Sequence, residues 1–347
     1  MAERDTEWML RAVELSRKGV GTTSPNPPVG AVIVRDGCII GEGWHEVAGE
    51  AHAERRAIAD AIARGNESLL QGSTIYVTLE PCSSHGKTPP CTDAIVERGI
   101  KRVVYGVVDP DKRHRGQADA ILRAAGIEVQ GGIEEAACQE VLRPWLFATE
   151  NGRPWVVAKV ACTLDAKMVR RTERWISDPE ALRHSHQLRA AADAILVGGE
   201  TVRRDNPALT IRTPLIGPSE RKQQPLRVVL TRHRGTLPVN AVLFTDEFKE
   251  RTLVVENVEN FAELLQQLYR EHGVVTLMLE CGGRLLREFL DRGLVNEWMQ
   301  DIAPILSGGR QAVVSGEFLD VEQHLGQVSY TRAGRDIIVR GLLLRDD

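Results

Sequence analysis

TLEPCSSHGKTPPC, residues 78–91, places Cys82 and Cys91 around a histidine, with Pro81, Pro89 and Pro90 directly beside the thiols. The run before it, STIYVTL (73–79), has the β-branched content of a strand, and CTDAIVERG (91–99) after it reads as a short helix. Upstream, AHAERRAIADAIARG (51–65) reads as a helix closed by Gly65, with His52 and Glu54 at its start. The loop therefore joins a strand to a helix, and a second helix opens on a histidine. That layout decides the fold class, an α/β chain.

The same alternation extends in both directions. Residues 4–18 read as a helix with Trp8, Leu10, Val13 and Leu15 on an apolar face, followed by strand AVIVRDG (31–37) and a hairpin return CIIGEGWH (38–45). RVVYGVVD (102–109) is a strand, and ADAILRAAG (118–126) and EEAACQEVLRPWLF (134–147) are helices. Strands alternating with helices predict a largely parallel sheet covered on both faces. The polar, turn-rich ATENGRP (148–154) marks a boundary, giving domains 1–148 and 153–347. Beyond it the pattern restarts with strand WVVAKVAC (155–162), helix PEALRHSHQLRAAA (179–192), and strands AILVG (194–198), LRVVL (226–230) and TLVVE (252–256). A helix near 258–271, strand VVTLMLE (274–280), helix RLLREFLDRG (284–293), and strands in VNEWMQDIAPIL (295–306) and DIIVRGLLLR (336–345) complete it.

At 347 residues the chain is comfortable as two domains, and 42% hydrophobic with 27% charged residues suits a globular protein with real cores. A formal charge of −4 argues against a broad nucleic-acid or anionic-membrane footprint, while local Arg or Lys can still bind a small phosphate. The charged, amphipathic first residues lack the apolar core of a secretory signal, and no apolar run reaches the roughly 20 residues of a membrane span. Six cysteines scattered along the chain read as reduced thiols, so the cytoplasm is the expected compartment.

One imidazole and two thiolates, His52, Cys82 and Cys91, suit Zn²⁺ with a fourth position open to water, the mark of a catalytic site. Zinc lowers the pKa of such a water toward neutrality. Glu54 is placed to move protons without binding metal. H-x-E with P-C-x-x-C is the signature of zinc base deaminases; His52–Glu54 and Pro81-Cys82 match it, but the second cysteine lies further on. A buried histidine beside two core thiols, and a closed structural zinc completed by His85 or His45, are the competing arrangements.

SPNPPVGAVIV (24–34), GEGWHEVAGEAHAE (41–54) and VTLEPCSSHGKTPPCTDAI (77–95) resemble the deaminase half of the bifunctional riboflavin-biosynthesis deaminase–reductase family. The resemblance implies a cytidine-deaminase-like N-terminal domain in which His52, Cys82 and Cys91 hold zinc and Glu54 is catalytic. It also implies that Asn26, His85, Lys87 and Thr88 contact a phosphoribosylaminopyrimidine. Lys112, Arg113 and Arg115 are candidate phosphate cations.

The remainder resembles the reductase half, a dihydrofolate-reductase-like domain that uses NADPH, through KVACTLDAK (159–167), DAILVGGETVRRDNPALTIR (193–212) and LECGGRLLREFLDRGLVNE (279–297). The two glycines of ECGGRLLREFL open a helix whose backbone N–H groups suit a pyrophosphate. The resemblance implies that Ala161, Asp165, Trp175, Thr201, Asp205, Gly282, Gly283, Arg284, Leu285, Leu286, Arg287 and Glu288 line the NADPH site. It implies that Lys159, Arg189, Leu209, Arg212 and Glu280 surround the substrate, and that copies of the chain associate. Ala166 stands where the family has Gly, Glu173 where it has a small hydroxyl residue, and Asn296 where it has Asp. Arg170, Arg171 and Arg174 crowd the same loop as Glu173. These departures leave a second reading, an active deaminase joined to a reductase-like scaffold.

Overall fold

The structure, a computed structural model, describes residues 2–83, 89–111, 115–169, 175–212, 223–315 and 319–344. The chain divides into two compact units, Met1–Gly152 and Arg153–Asp347. Among the described residues no helix is long and apolar enough to cross a membrane.

In the first unit, α1 (Ala2–Arg17) buries Met9, Ala12, Val13 and Leu15. β1 (Gly30–Arg35) and β2 (Cys38–Trp44) form a hairpin whose turn residues, Asp36 and Gly37, have φ of +51° and +77°. Two left-handed residues are what a tight type I′ turn requires, and Asp-Gly supplies them. α2 (Ala53–Ala63), α3 (Glu67–Leu70), β3 (Thr74–Leu79), α4 (Cys91–Glu97), β4 (Arg102–Val107), α5 (Gln117–Ala124), β5 (Glu128–Gln130) and α6 (Glu135–Asn151) follow. The strand order is β2-β1-β3-β4-β5. β1 is antiparallel to both neighbours, whereas β3, β4 and β5 are parallel. The sheet is therefore mixed rather than largely parallel, because the hairpin reverses its first strands.

The glycines of β2 set where α2 lies. A Cβ on Gly43 would stand 2.4 Å from the Ala57 nitrogen, and one on Gly41 would stand 2.3 Å from the Ala57 oxygen. Only a bare backbone allows this approach, and the alanines Ala53, Ala57 and Ala61 complete the fit. α6 runs past Phe147 to Asn151 and stops at Gly152, with φ of +66°. The polar run at 148–154 is thus helical in its first half, with Glu150 and Asn151 exposed and Ala148 buried.

The second unit contains β6 (Trp155–Thr163), α7 (Pro179–Ala191), β7 (Ala194–Gly198), α8 (Gly199–Asp205), β8 (Leu226–Thr231), α9 (Val242–Thr245), β9 (Thr252–Glu256) and α10 (Phe261–His272). β10 (Thr276–Leu279), α11 (Gly283–Asp291), β11 (Glu297–Ala303), β12 (Leu325–Ala333) and β13 (Asp336–Leu343) complete it. Eight strands lie in the order β12-β13-β11-β6-β10-β7-β8-β9. From β11 to β9 the neighbours are parallel, and β13 is antiparallel to β11 and β12. β12 has no counterpart in the sequence reading. It is an edge strand, mostly exposed, without an apolar alternation to reveal it.

The parallel strands carry the core on one face, through Val156, Ala158, Val160, Leu277, Leu279, Ala194 and Leu196 against α10 and α11. The other face of β6 holds Lys159 and Ala161. In open sheets of this kind, sites form beyond the carboxyl ends of the strands where the strand order reverses. β10, inserted between β6 and β7, is such a point.

Candidate active sites

In the first unit His52 precedes α2 as its N-cap, with an extended backbone (φ −70°, ψ 165°) and no side-chain cap bond. Its ring is thus free for another use. Cys82 follows β3, and Cys91 opens α4. The Cys91 N–H donates to the Cys82 oxygen (3.1 Å) and to Cys82 Sγ (3.3 Å), folding the two cysteines toward each other. Arg55, on α2, donates to the carbonyls of Pro89 and Pro90 (3.2 and 3.0 Å), tying the cysteine loop to the histidine's helix.

The outcome is a compact donor set. His52 Nδ1 lies 3.5 Å from Cys82 Sγ and 3.4 Å from Cys91 Sγ, and all three ligand atoms fall within 4.8 Å of one another. Zn–N and Zn–S bonds of about 2.05 and 2.3 Å at a tetrahedral angle separate the donors by about 3.6 Å, so these residues fit a zinc ion. Cys82 is held well below an ordinary thiol, first by the hydrogen bond from Cys91, then by His52 and the Cys91 N–H. Cys91 is pushed up by sharing that bond and by burial. Glu54, 3% exposed on the first turn of α2, is raised by burial and then by the negative charge of Cys82.

The competing fourth ligand, His45, is otherwise engaged. Its Nδ1 donates to the Ala51 carbonyl (3.2 Å), which leaves Nε2 to accept from Asn26 Nδ2 (3.2 Å). Its ring meets His52 edge-on at 5.3 Å between centroids. His85, Lys87, Thr88, Lys112 and Arg113 lie outside the described residues. Arg115 is exposed, its N–H donating to the Asp111 carbonyl. Sequence reading missed Glu80, next to Pro81. Its buried carboxylate accepts from the backbone of Asp109 (3.2 Å), Gly116 (3.1 Å) and Ala118 (3.3 Å), tying the end of β4 and the start of α5 to the end of β3.

In the second unit Arg189 of α7 meets Glu280 at the end of β10 through two bonds of 2.7 Å and donates to the Thr210 carbonyl (3.2 Å). Lys159 and Arg212 complete the group, and all four surround His186 electrostatically. Leu209 is buried, with φ of +52°, a strained setting for a branched residue. The structure thus brings Lys159, Arg189, Arg212 and Glu280 together with Leu209 beside them. His186 was missed. It is 1% exposed, takes the Arg212 N–H on Nδ1 (3.2 Å) and is held near pKa 4 by burial and by Arg189 and Arg212. Its one signal in the sequence is the spacing that puts it one helical turn before Arg189.

The glycines of ECGGRLLREFL open α11. Gly282 caps α11 without a side-chain bond, and the space its Cβ would fill is open. Gly283 packs so tightly that a Cβ would stand 2.5 Å from Ser315 Oγ. The Leu286 N–H already donates to the Gly282 carbonyl (3.1 Å), so only the first-turn N–H groups, Gly283 to Leu285, face the open end. A bare, positive helix end beside open space fits a dinucleotide pyrophosphate. The Leu286 side chain lies in the core, while Arg287 pairs with Asp291 and Glu288 with Arg292 along the helix, so these three side chains are spent on the fold.

Asp165 serves the fold too. It accepts from Thr163 Oγ1 (2.6 Å) and from the N–H groups of Ser307 (3.0 Å) and Gly308 (2.7 Å), which hold it at about 2. Trp175 is half exposed, with the Arg212 guanidinium 5.7 Å from its ring centroid. Ala161 shares the Lys159 face of β6; Thr201 and Asp205 sit on α8, Asp205 exposed near Arg204. Ala166 takes φ of +58°, the left-handed region a glycine would occupy. Asn296 Oδ1 accepts from the Val156 N–H (2.9 Å), binding β11 to β6. Arg170, Arg171, Glu173 and Arg174 lie outside the described residues.

Residues 2–107 match the model of the cytidine and deoxycytidylate deaminase zinc-binding region, and 154–339 match the RibD C-terminal domain. Among curated proteins, the chain is 37% identical to riboflavin biosynthesis protein RibD of Synechocystis over 329 residues, 88% of this chain and 86% of that one. It is 36% identical to that of Escherichia coli K12 over 332 residues, 88% and 89% of the two chains. Among solved structures, Acinetobacter baumannii RibD aligns at TM-score 0.89 with 33% identity, over 99% of this chain and 100% of that one. A Thermotoga maritima diaminohydroxyphosphoribosylaminopyrimidine deaminase/5-amino-6-(5-phosphoribosylamino)uracil reductase aligns at 0.87 with 33% identity, over 99% of each.

Proposed function

The chain belongs to the RibD family of riboflavin-biosynthesis deaminase–reductases, and from that premise we propose which of its residues carry each reaction. It is a bifunctional enzyme with a zinc-dependent deaminase domain and an NADPH-dependent reductase domain. A reductase-like scaffold without turnover is not favoured in a chain that follows its bifunctional relatives nearly end to end.

The observation that carries the deaminase reading is the triad His52, Cys82 and Cys91 with the buried Glu54 beside it. His52, Cys82 and Cys91 would hold a zinc ion, which when bound would supply the Lewis acidity that makes water a nucleophile near neutral pH. Glu54, raised by burial, takes a proton from the attacking water and returns it to the departing amine, so the C–NH₂ group becomes C=O and ammonia leaves. Asn26 gives one amide N–H to His45, which turns its carbonyl oxygen toward the pyrimidine. On the family resemblance His85, Lys87 and Thr88, which lie outside the described residues, would also contact the substrate.

In the reductase, NADPH would supply a hydride for C1′ of the ribosylamino group; the C1′–O4′ ring bond breaks and the ring oxygen takes a proton, which leaves a ribityl chain and NADP+. The backbone N–H groups of Gly283–Leu285, behind the open space at Gly282, would receive its pyrophosphate, with Thr201 and Asp205 of α8 contacting the cofactor on the same reading. Lys159, Arg189 and Arg212 bind the phosphorylated substrate, and Glu280 aims Arg189 through their paired bonds. Self-association and a cytoplasmic location belong to the same proposal.

A coupled assay tests both halves. With the diaminopyrimidine phosphate, ammonia should be released without NADPH, and NADPH should be consumed only after deamination. Ammonia release without subsequent NADPH oxidation would overturn the reductase assignments.

A further inference from the structure

β6 and β11 are parallel neighbours in register, Ala161 opposite Asp301, and Lys159 lies two residues earlier on the Ala161 face. The Asp301 side chain is wholly buried. Its Oδ2 accepts from Lys159 Nζ (2.9 Å), Ser185 Oγ (3.2 Å) and Ser177 Oγ (3.4 Å), while Oδ1 is buried with no hydrogen-bond partner. Ser185 belongs to α7, which also carries Arg189. One carboxylate therefore binds the strand that presents Lys159 to the helix that presents Arg189. A second buried carboxylate, Asp336 at the start of β13, accepts the Asp178 N–H (2.6 Å) where α7 begins.

A buried carboxylate with one unsatisfied oxygen is a poor choice for stability alone, since an apolar residue of similar volume would avoid the desolvation cost. What it provides is position. The lysine stem has four rotatable bonds, and an ammonium anchored on one side keeps its remaining donors directed at a ligand.

We propose that Asp301 is a positioning residue of the reductase, holding the Lys159 ammonium at the height set by α7 and thereby setting affinity for the phosphoribosylaminopyrimidine. The inference rests on the assignment of Lys159 to that substrate. Ser185 of α7, whose hydroxyl also reaches the Ala181 carbonyl (3.3 Å), and Ser177 just before α7 contact the same oxygen that the lysine does.

The test is a binding cycle on the full-length protein, titrating 5-amino-6-(5-phosphoribosylamino)uracil in the absence of NADPH. Asp301→Asn should raise its Kd about tenfold, leaving NADPH Kd and deaminase rate unchanged. Lys159→Met should raise Kd at least as much, and the double variant should add no further loss. An unchanged Kd in Asp301→Asn, or the same added loss on the Lys159→Met background, overturns the proposal. A parallel loss of NADPH affinity would mark a merely structural role and also overturns it. If Lys159→Met alone leaves Kd unchanged, the assignment of Lys159 fails and the proposal with it; if only Asp301→Asn is silent, the assignment stands. Should Asp301→Asn fail to fold, Ser185→Ala decides: a partial Kd increase supports the proposal, and none rejects it.

Discussion

Arg189 and Glu280 face each other through two parallel hydrogen bonds of 2.7 Å, one from Nε and one from Nη2, with both side chains largely out of solvent. Glu280 is held below the ordinary carboxylate range despite its burial, because Arg189 is there. Removing either partner strands the other charge. Glu280→Leu should destabilise the reductase domain by about 3–5 kcal/mol and abolish NADPH oxidation. Urea unfolding followed by a reductase-domain probe measures the first effect. Ammonia release should remain at the parental rate, which separates local damage from misfolding of the whole chain.

Glu54 lies on the same helix turn as His52 but outside the three-atom donor set. Glu54→Gln should therefore keep zinc at the parental stoichiometry and lose deaminase turnover by roughly 10²–10⁴-fold, the range for an essential proton-transfer group. Metal analysis paired with ammonia release makes the check. A variant that retains zinc and deaminates at the parental rate would remove Glu54 from the mechanism.

The grouping of His52, Cys82 and Cys91 was legible in the sequence because a metal site needs fixed residue types on short local elements. His52 and Glu54 share a helix start, and the two cysteines bound one loop. The alternation of strands and helices was legible for the same local reason. Asp301 and His186 were not, nor was the bond from Asn26 to His45, since each works through partners that only strand register or packing brings near. Asp301 meets Lys159 because β11 lies against β6, a pairing that no spacing within either strand reveals. Likewise, the motif around Gly282 showed the helix start, but not that Leu286 turns into the core, Arg287 to Asp291 and Glu288 to Arg292.

His186 supplies a pH dependence. Burial first, then Arg189 and Arg212, lower its pKa from an ordinary 6.5 to about 4 in the folded protein. Between those values the unfolded chain binds a proton that the folded chain does not. Stability of the reductase domain thus falls as pH drops from 6.5 toward 4, by on the order of 1–3 kcal/mol from this residue. Above pH 6.5 the contribution is fully present. Urea midpoints at pH 7.5 and 4.5 should differ less in His186→Gln than in the parent.

Ala166 occupies the left-handed region at φ +58°, closing the turn between Thr163 and Lys167. An L-residue there costs about 1–2 kcal/mol relative to a right-handed setting. Glycine removes that strain but loses roughly 0.5–1 kcal/mol through its freer unfolded state. Ala166→Gly should therefore raise reductase-domain stability slightly, by up to about 1 kcal/mol. Its NADPH oxidation should stay within about twofold of the parent, because the backbone already has the shape glycine would take. A marked gain in turnover would show that the alanine restricts the nicotinamide side of the site.

Gly282 offers the sharpest separation of cofactor binding from folding. Its φ of −72° and ψ of 160° suit any L-residue, and no atom lies within 4 Å of the Cβ position. Gly282→Val should fold normally, whereas Gly283→Val, 2.5 Å from Ser315 Oγ at its Cβ, should lower the thermal midpoint. The space in front of Gly282 is where a pyrophosphate would meet the free N–H groups of α11. Filling it with an isopropyl group should therefore raise the NADPH Kd at least about tenfold, because an anion kept from the helix end loses both the hydrogen bonds and the dipole. Fluorescence titration of NADPH on the intact chain measures this directly, with ammonia release as the fold control. Parental NADPH affinity in a folded Gly282→Val protein would remove the open end of α11 from the cofactor site.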